Sequence, residues 1–217
     1  MTLKLFGHPF SSCLQKVLIP LYADEPEFEF AMLDGQHPEN QAELARRWPI
    51  GKFPLLVDGD VAIPETTPII EHLQARGAIG AHWIPDGEQG RRVRFLDRFF
   101  DLYVMTPLQK IVGDALRPEG ERDGYGVAQA RRTLDTAYDW LEANLDAPWA
   151  AGEGITLADC AAAPSLFYAD WTHGIGGARP RLTAYRQRLL AYPPYARAVD
   201  EARPYRPFFP LGAPDRD

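Results

Sequence analysis

The sequence predicts an α/β domain followed by an all-helical domain. Strand and helix patterns alternate through residues 1–77, in the order strand, helix, strand, helix, strand, strand, helix. No strand pattern is evident after residue 90, where helical periodicity takes over. The intervening stretch, rich in Gly and Pro, is typical of a linker. We therefore predict an α/β domain over 1–77, a linker over 78–90 and a helical domain over 91–217.

The N-terminal elements follow from short apolar runs and their breakers. Strand patterns occupy residues 2–6, 27–32, 55–57 and 61–63. Helix patterns occupy residues 13–19, 38–47 and 65–76. A serine is placed to cap the first helix, and Pro20 is expected to end or kink it. The first strand-helix-strand unit predicts a parallel pair with a right-handed crossover, and the last two strands, joined at Gly59, predict a hairpin.

The pattern of the C-terminal part predicts five helices followed by a tail. Helical patterns occupy residues 91–116, 127–145, 155–171, 181–191 and 195–202. The third is almost continuously apolar, so we expect it to be the central buried helix. Thr156 and Asp159 have the spacing of a capping box at its start. The tail, 203–217, contains four prolines and is expected to be extended over the surface.

Composition, net charge and cysteine count limit the classes of protein to which the chain can belong. The chain has 217 residues, of which 46% are hydrophobic and 24% charged, as in ordinary globular proteins. No apolar run approaches the ~20 residues of a membrane span, and no signal-peptide pattern opens the chain. Two cysteines are too few for a disulfide scaffold, so a reducing cytoplasm is expected. A net charge of -7 disfavours nucleic acid as a partner.

The first loop carries candidate chemistry in Ser11, Ser12 and Cys13. It follows the first strand, and α/β sheets place ligands at the carboxyl ends of their strands. A hydroxyl that donates a hydrogen bond to a bound thiolate lowers the thiol pKa, which is ~8.5 in free thiols. Alternatively, one serine only caps the helix. Cys13 could itself react, but we expect it to face inward, where thiols are usually inert.

A second candidate region runs from Phe53 to Thr66. Pro54 opens a strand, and we predict a cis bond between Phe53 and Pro54, which would leave the N–H and C=O of Phe53 free to pair with an extended peptide. Glu65 and Thr66 stand at a helix start, where a hydroxyl and backbone N–H groups can hold a carboxylate. Backbone groups that can pair with an extended peptide, next to a helix start that can hold its carboxylate, predict a binding site for glutathione.

Further candidates are less specific. His37 and Lys52 flank this region and could pair with a second carboxylate, or simply be solvated. Aromatic side chains with helical spacing could line an apolar pocket or belong to the core; they are Phe10, Phe99, Tyr103, Tyr168 and Trp171. We predict no metal, because no Cys/His cluster has ligand spacing. The sequence also has no Gly-rich phosphate loop.

These segments together resemble cytosolic glutathione transferases over nearly the whole chain. The stretch from Gly7 to Ser12 is similar to the first loop of phi-class enzymes, with Ser11 at the position of their catalytic serine. Phe53-Pro54 resembles the family's Val-Pro, and Glu65-Thr66 its Glu-Ser. The loop ending at His37 resembles a phi-class loop whose histidine reaches the glycine carboxylate of glutathione.

The resemblance implies a thioredoxin-like N-terminal domain, glutathione as co-substrate, a small electrophile and a homodimer. The helix over 91–116 would lie at the interface, with complementary charges at Arg91, Arg92, Arg94, Asp97, Arg98 and Asp101. Ser11-Ser12-Cys13 with Lys16-Val17 is also similar to the zeta-class motif, so a glutathione-dependent isomerase of the maleylacetoacetate type stays open. A third reading is a non-catalytic protein of the same fold that binds a partner.

Overall fold

The computed structural model describes residues 3–217, with an α/β part followed by helices, so the predicted fold class is confirmed. The strands are β1 (Leu3–Gly7), β2 (Phe28–Met32), β3 (Leu55–Asp58) and β4 (Val61–Pro64). The N-terminal helices are α1 (Ser12–Asp24), α2 (Pro38–Arg47) and α3 (Thr66–Ala75). The later helices are α4 (Gly87–Phe99), α5 (Thr106–Ala115), α6 (Gly124–Asn144), α7 (Leu157–Thr172), α8 (Pro180–Ala191) and α9 (Pro193–Ala202). Residue 2, which the sequence assigns to the first strand, lies outside the described residues.

The four strands form one mixed sheet in the order β2-β1-β3-β4. β1 is parallel to β2 and antiparallel to β3, and β3 and β4 form the expected hairpin. One face packs α1 and α3 into the main core. The other face packs Leu44 of α2 against Phe6, Leu55 and Val57. This arrangement brings the end of β1 and the start of α1 to one edge of the molecule.

Helix α1 joins the sheet to the helical part. It contacts α3 on one side and α7 and α9 on the other, and every residue from Leu14 to Leu21 is buried. Pro20 lies within this helix, which continues to Asp24, so of the two expected outcomes an end at the proline is wrong. The proline removes one backbone hydrogen bond, but a helix buried on all sides is held by packing rather than by propensity.

The helix expected over 91–116 is longer and is interrupted. It begins at Gly87 as α4, passes through a π-helical segment, Phe100–Met105, and continues as α5 to Ala115. Such wide turns inside α-helices are frequent at functional sites. The sequence gives no signal for it, because the apolar spacing over this stretch fits an ordinary helix.

The stretch expected to be a linker is partly structured. A short 3-10 helix spans Ala81–Trp83, and the Trp83 side chain is fully buried. Its indole N–H donates to Asp24 at 2.7 Å, which ties the stretch to the end of α1. The domain limits at 77 and 90 stay a prediction.

Helix α7 is the buried central helix, as expected, and its capping box is confirmed. Asp159 accepts a hydrogen bond from the Thr156 N–H at 2.8 Å. Its other oxygen accepts from the Ala150 N–H at 2.8 Å and from the Tyr185 hydroxyl at 2.7 Å. The carboxylate therefore caps α7 and also fixes the preceding loop and α8.

The prediction of an extended tail is wrong. Residues Arg203–Phe208 form a 3-10 helix, and Phe209 is buried. Asp217 folds back to pair with Arg203 and with Arg206, whose Nη1 lies 3.1 Å from it. Burial of one aromatic side chain and pairing of charges close in sequence outweigh the tendency of proline to extend the chain. Within residues 3–217, no helix combines the length and hydropathy that a membrane crossing requires.

Candidate functional site

A cavity of about 640 Å³ opens where the α/β part meets the helices. Its walls come from the start of α1, the loop before β3, the start of α3, α5 and the C-terminal segment. From the predicted site it contains Phe10, Ser11, Ser12, Cys13, Lys52, Phe53, Glu65 and Tyr168. Residues far apart in sequence thus share one cavity.

Ser11 is the N-cap of α1, with φ -86° and ψ 120°. Its Oγ accepts a hydrogen bond from the Leu14 N–H at 3.3 Å. In that bond the Ser11 oxygen is the acceptor, so its hydroxyl hydrogen is still available to donate a hydrogen bond. Residues 3–217 provide no acceptor for this hydrogen. A donor at the positive end of a helix dipole suits an anion in the cavity.

Ser12 differs from Ser11 in its hydrogen bonding. It is the first residue of α1, and its hydroxyl donates to Sδ of Met105, in the π-helical segment, at 3.4 Å. The Ser12 proton is therefore engaged by the protein, whereas that of Ser11 is free. This difference favours Ser11 as the donor to a ligand.

Cys13 also borders the cavity, but its thiol is poorly suited to react. Burial raises the pKa of Cys13, and the attraction of Lys16 offsets this only in part. A thiol with a raised pKa is almost entirely protonated at neutral pH and is a weak nucleophile. The second cysteine, Cys160, is fully buried, and burial raises its pKa well above the ordinary value.

The peptide bond between Phe53 and Pro54 is cis, as the sequence predicts. Pro54 is buried and precedes β3, while Phe53 is 36% exposed at the cavity wall. Within residues 3–217, neither the N–H nor the C=O of Phe53 has a hydrogen-bond partner. Both backbone groups are available to an extended ligand.

Glu65 occupies a strained position at the start of α3. It is the N-cap, with φ 72° and ψ 145°, a region that residues other than glycine rarely adopt. Such outliers cost about 1–3 kcal/mol and cluster at ligand-binding sites. Glu65 is exposed at the cavity wall, and Thr66 follows it as the first residue of α3. The first N–H groups of α3 are therefore open to an anion.

A buried charge network supports this helix start. Nζ of Lys16 lies 2.6 Å from Asp97 and 3.1 Å from Asp101. Asp97 also accepts from the hydroxyl of Thr67, the residue after Thr66, at 2.8 Å. Asp97 is only 1% exposed, so its assignment to a charged dimer interface is wrong: it faces α1 and α3 instead.

His37 and Lys52 stand apart from this network. His37 is the N-cap of α2, outside the cavity lining, and its Nδ1 lies 2.7 Å from Asp34. Asp34 also accepts from the N–H groups of Gln36 and His37, which fixes this loop. Lys52 is exposed at the cavity wall and has no ion-pair partner within residues 3–217.

Three of the predicted pocket aromatics do not line the cavity. Phe99 and Tyr103 belong to a separate cleft of about 410 Å³ between α4 and α6, where Phe99 packs on Trp140 with ring centroids 4.5 Å apart. Phe99 ends α4, Tyr103 lies in the π-helical segment, and both line the cleft on the α6 side. Trp171 sits behind Phe209, at a centroid distance of 5.4 Å, and supports the wall without reaching the cavity.

Sequence reasoning missed most of the apolar wall. On the helical side it consists of Met105, Leu108, Val112 and Leu116, and on the C-terminal side of Phe208, Phe209 and Pro210. The first group has the spacing of a helix stripe, which is a detectable signal. The second could not be found, because nothing local shows where the tail folds back.

Two family models match the chain. Residues 1–75 match the glutathione S-transferase N-terminal domain, and residues 124–188 match the glutathione S-transferase C-terminal domain. Among curated proteins, human glutathione S-transferase theta-2 is 31% identical over 170 residues, covering 74% of this chain and 68% of its own length. Glutathione S-transferase F6 of Arabidopsis thaliana is 38% identical over 74 residues, or 33% of this chain and 35% of its own.

Solved structures show the same fold. A glutathione S-transferase from Methylobacterium radiotolerans, in complex with glutathione sulfonate, superposes with a TM-score of 0.79 at 22% identity. The match covers 92% of this chain and 95% of that one. Glutathione transferase F7 from Populus trichocarpa gives a TM-score of 0.78 at 21% identity, covering 92% and 99%.

Proposed function

The chain belongs to the glutathione S-transferase family, and on that premise we propose that it activates the thiol of glutathione and adds the sulfur to small, partly apolar electrophiles. The observation that carries the proposal is the free Ser11 hydroxyl at the positive end of α1, in a cavity whose far wall holds Glu65. Glutathione enters as a co-substrate, and thiolate activation by a hydroxyl needs no metal.

The proposed reaction begins with loss of the thiol proton to solvent. The Ser11 O–H donates to the resulting thiolate, and the dipole of α1 favours the negative charge. The sulfur lone pair then attacks the electrophilic carbon, and a leaving group, where there is one, departs with its bonding electrons. Lowering the thiol pKa by about two units, roughly 2.7 kcal/mol, makes thiolate the main species at neutral pH.

The remaining predicted residues would hold the peptide. The backbone N–H and C=O of Phe53 are free to pair with the cysteinyl part of glutathione. Thr66, with the early N–H groups of α3 and the neighbouring Glu65, would hold the γ-glutamyl carboxylate and amine. Lys52 and His37 would attract the glycine carboxylate. Phe10 and Tyr168, with the apolar wall from α5, would bind the electrophile.

We further propose a cytoplasmic homodimer. Exposed charges on α4, such as Arg91 and Arg98, support an interface on α4 and the π-helical segment that follows it. The exposed apolar side chains of Phe95 on α4 and Leu102 in that segment support the same interface. The two cysteines are free thiols, which supports a reducing compartment. Sedimentation at micromolar concentration should give the dimer mass; a monomer would contradict this part of the proposal.

The test of the reaction uses chlorodinitrobenzene as a chromogenic electrophile. The purified protein should show thiolate absorbance on adding glutathione and should form the conjugate. Ser11→Ala should raise the pKa of bound glutathione and lower turnover at neutral pH, whereas Cys13→Ala should keep most of it. The Ser11→Ala/Ser12→Ala double variant checks whether the neighbouring hydroxyl substitutes.

Three outcomes would redirect the proposal. Loss of activity in Cys13→Ala with retention in Ser11→Ala would indicate that the protein uses its own thiol. Isomerisation of a maleylacetoacetate-type substrate without consumption of glutathione would favour the zeta-like reaction. Binding of glutathione without turnover of any electrophile would favour a non-catalytic role.

A further inference from the structure

Two buried side chains hold the backbone that presents Ser11. Nε2 of Gln15, in α1, donates to the C=O of Pro9 at 3.0 Å and to the hydroxyl of Tyr168 at 3.1 Å. The Tyr168 hydroxyl in turn donates to the C=O of Phe10 at 3.3 Å. Gln15 is fully buried and Tyr168 is 5% exposed. The two carbonyls that they bind belong to the two residues immediately before Ser11.

The direction of this hydrogen-bond chain is fixed by its ends. A peptide carbonyl can only accept, so Pro9 requires the amide nitrogen of Gln15, and Phe10 requires the proton of Tyr168. Burial raises the pKa of Tyr168, so its hydroxyl stays protonated throughout the pH range in which enzymes work. The same turn is closed from within by the Ser11 N–H, which donates to the C=O of His8 at 2.9 Å.

The amide oxygen of Gln15 is buried, and no group among residues 3–217 forms a hydrogen bond with it. Leaving a buried acceptor unpaired is unfavourable, so this glutamine is not an optimal choice for stability alone. An apolar side chain of the same shape would avoid the penalty. What it could not supply is a donor to both Pro9 and Tyr168.

We propose that Gln15 and Tyr168 are positioning residues that act through Ser11. This rests on the proposed function, in which the Ser11 hydroxyl must meet a thiolate at hydrogen-bond distance. Tyr168 lies on α7, so the helical part of the molecule sets the position of a hydroxyl carried by the α/β part. Misplacing a reacting group by about 1 Å can cost a factor of ~100 in rate, so a clamp on the adjacent backbone has a measurable effect.

The test compares Tyr168→Phe and Gln15→Met with the control Tyr138→Phe. Tyr138 is equally buried and donates to a backbone oxygen, that of His173, at 3.1 Å, away from the cavity. The readout is the pKa of bound glutathione, taken from thiolate absorbance without any electrophile, so that an altered electrophile pocket does not interfere.

We expect Tyr168→Phe and Gln15→Met each to raise the pKa of bound glutathione by about one unit. That shift corresponds to a tenfold lower thiolate-to-thiol ratio at neutral pH. Turnover should recover as the pH is raised, and affinity for glutathione should change less than threefold. Tyr138→Phe should leave the pKa of bound glutathione where it is in the wild type.

A double variant separates action through Ser11 from direct action. In Ser11→Ala the clamp has no hydroxyl left to position, so adding Tyr168→Phe should raise the pKa no further. An additive rise would overturn the proposal, as would a normal pKa in both single clamp variants. If Ser11→Ala itself leaves the pKa unchanged, the proposed function fails and this inference fails with it. If Tyr168→Phe does not fold, Gln15→Met with Ser11→Ala gives the same comparison.

Discussion

Replacing Lys16 with Met tests the buried charge network that joins α1, α3 and α4. The Lys16 side chain is 4% exposed and that of Asp97 is 1% exposed, with 2.6 Å between the charged atoms. Burial alone would lower the pKa of Lys16, but Asp97 and Asp101 raise it above its ordinary 10.5. The ammonium group therefore stabilises the fold at neutral pH, and that contribution is lost only as the pH rises through the raised value.

Lys16→Met keeps the length of the apolar stem and removes only the charge. Asp97 then keeps a buried negative charge with no cation beside it. Removing one partner of a buried ion pair costs about 3–5 kcal/mol. With a denaturant dependence near the upper end of about 1–3 kcal/mol per M for urea, the unfolding midpoint should fall by about 1 to 2 M.

The assay is urea unfolding monitored by circular dichroism, at one protein concentration because the stability of the proposed dimer would depend on concentration. Arg46→Met, on α2 and away from the proposed interface, is the matched control: Arg46 is 69% exposed and lies 3.9 Å from Glu43, and its loss should leave the midpoint unchanged. A Lys16→Met midpoint within 0.3 M of the wild type (roughly 1 kcal/mol at such a slope) would refute the reasoning.

The pH dependence gives a second check on the same variant. Burial raises the pKa of Asp101 against the attraction of Lys16, so removing Lys16 should raise it further. A carboxyl group whose pKa is higher in the folded than in the unfolded protein destabilises the fold when the pH is above these pKa values. This destabilisation is lost as the pH falls through the raised pKa toward the ordinary one. The deficit of Lys16→Met should therefore be largest at neutral pH and shrink in acid.

Three more predictions can be checked directly. Thr66→Ala should weaken glutathione binding at least tenfold by calorimetry, because a hydrogen bond to a charged group contributes about 1.5–3 kcal/mol; unchanged affinity would remove Thr66 from the site. Because burial raises the pKa of Cys13, iodoacetamide should alkylate it slowly at pH 7 and faster as the pH rises. Mass spectrometry measures the labelling, and rapid labelling at neutral pH would contradict the prediction. Asp159→Ala should lower stability to urea by about 3 kcal/mol or more, because it leaves the Thr156 and Ala150 N–H groups and the Tyr185 hydroxyl without their acceptor.

Local signals in the sequence were sufficient for the elements and for part of the site. The capping box at Thr156 can be predicted because it depends on neighbouring residues alone. The cis bond before Pro54 is predicted on a different ground, namely that it turns the backbone of Phe53 toward a ligand. Phe10, Tyr168 and Lys52 are candidates from the sequence, and in the structure all three line one cavity. Nothing in their spacing shows that they meet, and their binding roles stay predictions.

The failures share a different physical origin. Asp97 has the pattern of one charge in an exposed row, and only the folded structure, in which Lys16 of α1 contacts it, shows that it is buried. Phe99 belongs to an apolar helical pattern that would fit a pocket wall equally well. Which way its side chain points depends on which face of α4 meets α6. Phe209 lines the cavity where the tail folds back, and part of that fold is the pair between Arg216 and Asp170 of α7. Each of these depends on tertiary contacts that no window of sequence contains.

The π-helical segment at Phe100–Met105 sets the angular register between the two halves of a single long helix. Upstream, Asp97 points to Lys16; downstream, Leu108 and Val112 point into the cavity. Deleting one residue from the segment would restore an ordinary helix and rotate the downstream half by roughly 100° about the axis. Insertions and deletions of one residue here are therefore a route by which a protein of this fold could exchange its whole helical pocket wall at once, with the upstream pair of Lys16 and Asp97 left in place.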